Sequence, residues 1–159
     1  MDIEHPSPTF PAQPSVGLTL PDSFEPLVSA SVFLGAGDNE SPPHFRANIL
    51  VICTRTVNDM TLDETAADLR AKTATEYPDA RMTPTDHLVI SGFDSLTTIT
   101  AMKPPTIGFE IEQIQTVIFV PTANGRVRDL LQVHASYAAD TRDRYASLFL
   151  EAIRGLRIT

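Results

Sequence analysis

Apolar positions along this chain follow two periodicities, and the switch between them marks its elements. From Phe45 to Val57, in FRANILVICTRTV, the residues Ile49, Leu50, Val51, Ile52 and Cys53 form an unbroken apolar run rich in β-branched side chains. Such a run predicts a strand in the middle of a sheet, covered on both faces. Thr54, Thr56 and Val57 prolong it, and Asn58-Asp59 breaks it. Thr61 then precedes Glu64 at the spacing of a capping box, so each side chain can satisfy an orphan N–H of the other's turn. Asp63 and Glu64 suit the positive end of the helix dipole. Leu62, Ala66, Leu69 and Ala74 give an apolar stripe, with Asp68, Arg70 and Lys72 off it, until Tyr77-Pro78 stops the helix.

Ahead of this pair, residues 1–14 hold Pro6, Pro8, Pro11 and Pro14 among polar residues and predict an extended or disordered arm. Pro8 and Pro11 make a P-x-x-P pattern, which is common by chance. Val16, Leu18 and Leu20 alternate as a short strand closed by Pro21-Asp22, with Phe24 beyond the turn, and Ala30 to Leu34 predicts a second one. Gly35 to Pro43 reads as a polar loop. Its Gly35-Ala36-Gly37 is no phosphate loop, because two prolines and a strand follow where a helix N-terminus would have to stand.

Beyond the helix, Tyr77 to Thr85 reads as a loop, Leu88-Val89-Ile90 as a strand, Gly92 as a bulge or bend, and Asp94 to Met102 as a further strand. Lys103-Pro104-Pro105-Thr106 turns the chain into a long strand, Ile107 to Val120. Ile107, Phe109 and Ile111 share a parity that Ile114 leaves, which predicts a β-bulge near Gln113 and places Glu110 and Glu112 together on a solvated face. Asn124-Gly125 marks a hairpin. The return strand points Val127, Leu131, Val133, Ala135 and Tyr137 inward and Arg128, Gln132, His134 and Ser136 outward; Asp129, on the inward parity, is expected to fray. Asp140 or Thr141 caps a last helix carrying Tyr145, Leu148, Phe149, Ala152, Ile153 and Leu156, closed by Gly155. Helices against a largely antiparallel sheet make an α+β domain over residues 15–159, with no internal repeat.

Charge and composition narrow the function classes. The net charge of −8, with 12 basic residues scattered, argues against phosphate backbones and anionic lipid. The single cysteine, Cys53, excludes an internal disulfide and sits in the most apolar run, as an inert core thiol would. No apolar window is long enough to span a membrane, and MDIEHPSPTFPAQP has no positive n-region or apolar h-region. If the chain starts at its natural Met1, the expected location is the cytoplasm, or export by a leaderless route; a trimmed start would restore an envelope association.

Several stretches resemble the LpqN-type proteins of actinobacteria, which share the fold of photosystem PsbP, DcrB and the Mog-type Ran-binding proteins. These are VGLTLPDSF, FRANILVICTRTV, TLDETAADLRAKTA, HLVISGFDSLTTIT, FEIEQIQTVIFV, VRDLLQVHASY and the closing IRGLRI, so the resemblance covers roughly residues 16 to 159. It implies an α/β/α sandwich with a curved, mainly antiparallel sheet, and a non-enzymatic role of binding, chaperoning or adapting. It brings no catalytic residue. The chain departs from lipoprotein members in having no lipidated cysteine near its start.

The residues themselves carry no enzyme signature. His5, His44, His87 and His134 lack ligand spacing, so no metal or cofactor is expected, and Asp38, Asn39 and Glu40 lack the calcium-loop pattern. Ser91-Gly92 lacks a nucleophile elbow, and Ser95 has no partner in sequence; a hydrolase would need His87, His134 and Asp94 to meet in space. The favoured surface is the turn of Met102, Lys103, Pro104, Pro105 and Ile107, where a rigid diproline would hold two apolar side chains at a hairpin tip, unless both fold inward. The reading is a protein-binding module, adaptor or chaperone-like, with a protein partner, no nucleic acid and a homodimer left open. The alternative is a carrier of a small apolar ligand, or a weakly signalled hydrolase, with a cavity between sheet and helices.

Overall fold

A computed structural model describes residues 4–7, 9, 11–57 and 59–159. Pro8 of the P-x-x-P pattern and Asn58 of the expected break lie outside these residues. The strands are β1 (Val16–Gly17), β2 (Phe24–Pro26), β3 (Leu34–Asp38), β4 (Asn48–Thr56), β5 (Arg81–Met82), β6 (Asp86–Ile90), β7 (Phe93–Met102), β8 (Ile111–Pro121), β9 (Arg128–Ala138) and β10 (Arg157–Ile158). The helices are α1 (Leu62–Glu76) and α2 (Arg142–Arg154), the latter entered through a 3-10 turn, Ala139–Thr141. The main sheet runs β2-β3-β4-β9-β8-β7-β5, with β6 also on β7, and its pairings are antiparallel. Mostly antiparallel sheet with two helices is the α+β class that the hydrophobic pattern predicts.

Consecutive positions of the central strands feed two separate clusters. Ile49, Val51, Ile114, Ile118, Leu131, Val133 and Ala135 pack with Tyr145, Phe149 and Ile153 of α2. Leu96 and Val117 pack with Ala66, Leu62 and Leu69 of α1. Val117 and Ile118 are neighbours in β8 yet belong to different clusters, as strand alternation requires. α1 starts with the expected capping box: Thr61 Oγ1 accepts from Glu64 N–H at 3.2 Å and Glu64 Oε2 from Thr61 N–H at 2.7 Å. Its buried stripe includes Thr65 and Thr73, whereas Ala74 is exposed; each threonine hydroxyl bonds back to the carbonyl one turn earlier, which lets it be buried.

Several expectations are corrected. The strand expected over Ala30–Leu34 lies instead at Leu34–Asp38, as β3, so Gly35-Ala36-Gly37 lies inside a strand. A Cβ at Gly35 would come 3.0 Å from Leu50 Cδ2 and one at Gly37 2.8 Å from Arg46 Nε; close packing selects glycine there against its poor strand propensity. The segment around Val16 is a strand only at Val16–Gly17 and pairs with the unforeseen β10, not with the main sheet. The loop after α1 contains β5. Of the bulge or bend expected at Gly92 the structure has the bend: Ser91 (φ 53°) and Gly92 (φ 86°) form the tight turn joining β6 to β7. β8 begins at Ile111, after a turn with Gly108 at φ 73°, and its pairing with β7 and β9 advances one residue at a time, so no bulge occurs near Gln113. The parity change arises because Ile107 and Phe109 precede the strand.

Charged anchors replace what was expected to be wet or frayed. Glu112 is 6% exposed and accepts from Tyr137 Oη and Arg142, both at 2.7 Å. Asp129 does not fray: it is 1% exposed and takes Arg55 bidentately, at 2.9 and 2.8 Å. The same guanidinium donates to Pro11 O at 2.5 Å and Ala12 O at 3.0 Å, and Asn124 donates to Thr9 O at 3.0 Å, tying down part of the proline-rich arm.

Candidate functional site

Register places one continuous surface on the sheet face that carries Val117. Across β8, β9 and β4 the rows run Val117–Gln132–Ile52, Gln115–His134–Leu50 and Gln113–Ser136–Asn48. α1 packs on β7 and β8, at one side of this face. Over β4 and β9 the side chains of Leu50, Ile52, Gln132 and His134 are half-buried, against full burial of Ile49, Val51 and Val133 on the other parity. The expectation that β4 is covered on both faces therefore holds on one face only.

The edge of this open area is apolar. Phe33, in the bend that enters β3, is 40% exposed, and its N–H donates at 2.9 Å to Val51 O, the residue before Ile52 on β4. Val28, on the loop between β2 and β3, is 99% exposed. The centre is polar and internally bonded: Gln115 Nε2 donates to Gln113 Oε1 at 2.7 Å, and Gln113 Nε2 to Ser136 Oγ at 3.0 Å. Burial lowers the pKa of His134 from its ordinary value, so the imidazole is held neutral beside the glutamines.

The turn singled out from sequence borders the same face, because Met102 and Ile111 pair two positions along from Thr100 and Gln113. Met102 is 5% exposed and packs inward; Lys103, Pro105 and Thr106 are exposed and Pro104 and Ile107 half-buried. Pro104 O accepts from both Ile107 N–H and Gly108 N–H at 3.2 Å, which fixes the tip. A groove of about 360 Å³ separates it from Tyr77 and Pro78, with Arg81 paired bidentately to Glu110 at 3.0 and 2.8 Å beside it.

The residues weighed for catalysis are dispersed. His87 lies beside Leu96 and His134 beside Gln115, three strand spacings across and two residues along, or about 16 Å apart. Asp94 pairs with Val89 instead. Ser95 Oγ donates to Leu88 O at 2.9 Å, and Ser91 Oγ accepts from Ile158 N–H at 3.0 Å, so both hydroxyls are engaged by main chain. His44 Nε2 lies 3.6 Å from Asp140 and its ring meets Phe109 edge-on. Among the described residues no cluster of His, Cys, Asp or Glu could hold a metal ion. Two depressions, of about 610 and 530 Å³, are open grooves on either side of Leu20-Pro21, against Leu148 and Ala152 in one and Phe24 and Leu34 in the other.

Sequence reasoning missed Phe33, Leu50 and Ile52 as surface residues. The available signal was the outward assignment of Gln132 and His134, which share their rows with Ile52 and Leu50.

Together these features define an α+β domain with one incompletely covered sheet face. Its fold is that of LpqN from Mycobacterium tuberculosis, a protein involved in cell envelope biogenesis: the two superpose with a TM-score of 0.75 at 16% identity, over 99% of this chain and 88% of that one. Cyanobacterial PsbP (CyanoP) from Synechocystis sp. PCC 6803 matches with a TM-score of 0.59 at 14% identity, over 100% of this chain and 98% of its own. A protein of unknown function from Pseudomonas aeruginosa, PA94, gives a TM-score of 0.60 at 10% identity, over 90% and 95%. No family model and no curated protein matches the chain. At these identities the likeness is one of fold. No helix among the described residues is long and apolar enough to cross a membrane.

Proposed function

We propose that this chain is a non-enzymatic protein-binding module, an adaptor or chaperone-like, whose docking surface is the open half of the sheet face beside α1. The observation that carries the reading is the half-buried pair Ile52 and Leu50 on β4, whose rows continue through Gln132 and His134 on β9 to Val117 and Gln115 on β8, with Phe33 exposed at the entry to β3. An apolar strip bordered by groups that can both donate and accept is what a protein partner meets best, since apolar burial supplies affinity and the amides supply register. The turn of Met102 to Ile107 would form the end of this surface, offering Lys103 and Pro105. The alternate-parity clusters under α1 and α2 support the α/β/α layering that the LpqN resemblance implies. A carrier role is less well supported, because the grooves on either side of Leu20-Pro21 are open. The location proposed is the cytoplasm, with the envelope as the alternative that LpqN suggests.

The test is photo-crosslinking in the native host from an unnatural residue placed at Phe33 or Gln132, with Asp68 on the exposed side of α1 as control. One protein captured from both positions and not from Asp68, and lost when Ile52→Asp is added to a chain that still folds, supports the reading. Capture that ignores Ile52→Asp, or none from either position, removes it.

A further inference from the structure

The two edges of the main sheet are built differently. At β2, Asn39 N–H donates to Ser23 O and Leu27 N–H to Gly35 O, each at 2.9 Å, so alternation puts Glu25 in the bonded phase and turns the main chain of Phe24 and Pro26 outward. Phe24 N–H is spent on Pro21 O at 3.0 Å, and Pro26 has no N–H. That edge offers an incoming strand no donor within β2.

At the other edge β5 and β6 lie end to end along β7, with β6 outermost over Asp86–Ile90. The two-residue Ser91-Gly92 turn makes Ile90–Phe93 the closing bonded pair. Leu88–Ser95 and Asp86–Thr97 are then bonded as well, and His87 and Val89 direct N–H and C=O away from the sheet. No hydrogen bond takes up these outward groups among the described residues. Asp86–Ile90 contains neither proline nor lysine, and Val89 is 69% exposed, so beyond its shortness and the single charge of Asp86 at one end this edge strand carries no guard.

We propose that β6 pairs antiparallel with β6 of a second copy, centred on Leu88, and joins the two sheets into one. In this register His87 meets Val89 of the other copy, outward phase against outward phase, and all five residues of β6 are paired. Leu88 meets its own equivalent and Asp86 meets Ile90, so no like charges stand opposite, although each chain carries −8. The other in-phase registers, centred on His87 or on Val89, pair fewer residues, and the first sets His87 against itself. This self-complementarity favours a second copy over an unrelated strand. An interface this short lies below the standard size and gives a weak dimer, dissociating at about 10–100 μM.

Sedimentation velocity over about 1–500 μM reads the dimer directly, because the average mass should climb from 17.4 kDa toward twice that value. Val89→Pro removes only an outward N–H, is tolerated at an edge, and should hold the chain at monomer mass. As an arm that does not depend on that variant folding, Leu88→Cys with Cys53→Ala should give a covalent dimer on mild oxidation. The two Leu88 positions fall in the non-bonded phase, with Cα atoms about 4.5 Å apart and within disulfide reach. Asp86→Cys with Cys53→Ala should not. A wild-type chain that stays monomeric throughout, or a dimer untouched by Val89→Pro whose Leu88→Cys form does not cross-link, overturns the proposal. Neither outcome bears on the crosslinks from Phe33 and Gln132, which lie on other parts of the sheet.

Discussion

The Tyr145 hydroxyl donates to Asp38 Oδ2 at 2.6 Å, joining helix α2 to strand β3 across 107 residues of chain. The same carboxylate takes Arg144 at 3.0 Å and the Glu40 N–H at 3.0 Å, while being 1% exposed. This is how the helix that closes the larger cluster finds its place, because the apolar contacts of Tyr145 and Phe149 fix its face but not its position along its axis.

Stability should therefore fall in acid in a way that Tyr145→Phe alters. Burial pushes the Asp38 carboxyl up, but the Tyr145 hydroxyl, the Glu40 amide, Ser23 and Arg144 outweigh it and hold its pKa below the ordinary 3.8. A carboxylate depressed in the folded state stabilises above its unfolded pKa and loses that contribution as pH falls through the folded value. Tyr145→Phe should cost about 1–3 kcal/mol at neutral pH, by leaving a buried charge short of a donor. It should also cost less near pH 3, where the unfolded carboxyl is protonated. Urea titrations at the two pH values check both signs.

Thr100→Val should stabilise the protein. Thr100 is 0% exposed on β7, and its Oγ1 has no hydrogen-bond partner among the described residues. Valine keeps the shape and the strand preference while removing an unsatisfied hydroxyl, worth about 1–2 kcal/mol. Thermal melting of the pair decides the sign, and a lower melting temperature for valine would mean that water satisfies the hydroxyl.

What the sequence made legible follows from which interactions are local. The capping box of Thr61 and Glu64 and the stripe of α2 are encoded within a few residues, and both stand in the structure. Asp129 and Glu112 are not legible as buried anchors because their partners, Arg55 and Tyr137, lie 74 and 25 residues away, and a carboxylate on the inward parity looks like an error until its partner is known. Gly35 and Gly37 read as a loop in sequence because what selects glycine there is Leu50 on the next strand and Arg46 just ahead of it. For the same reason the open sheet face was hidden: the apolar run of β4 does not reveal that α1 covers β7 and β8 and leaves Leu50 and Ile52 half-buried.

Arg55→Met should loosen both the sheet and the arm. It leaves the Asp129 carboxylate buried without its guanidinium and frees the carbonyls of Pro11 and Ala12. The expected cost is about 3–5 kcal/mol, of which Arg55→Met with Asp129→Leu should recover a good part, because an apolar pair needs no desolvated charge. Only the stability should recover in the double variant. Limited proteolysis near Pro11 and Ala12 should be faster in both variants than in the parent, since both lose the bonds from Arg55 to those two carbonyls.

Cys53 should react slowly with iodoacetamide while the protein is folded. Burial, with the Asp129 carboxylate adding to it and Arg55 only partly opposing, pushes the thiol from 9.0 up to about 11. A rise of that size lowers the thiolate fraction at pH 8 by about 100-fold, and the thiolate is the nucleophile. Alkylation followed by mass should run at least that much slower than in urea, where the thiol regains its ordinary value. Asp129→Asn removes one of the groups that raise the pKa and should speed the folded-state reaction, whereas a variant that merely opened the structure would bring the rate up to that measured in urea.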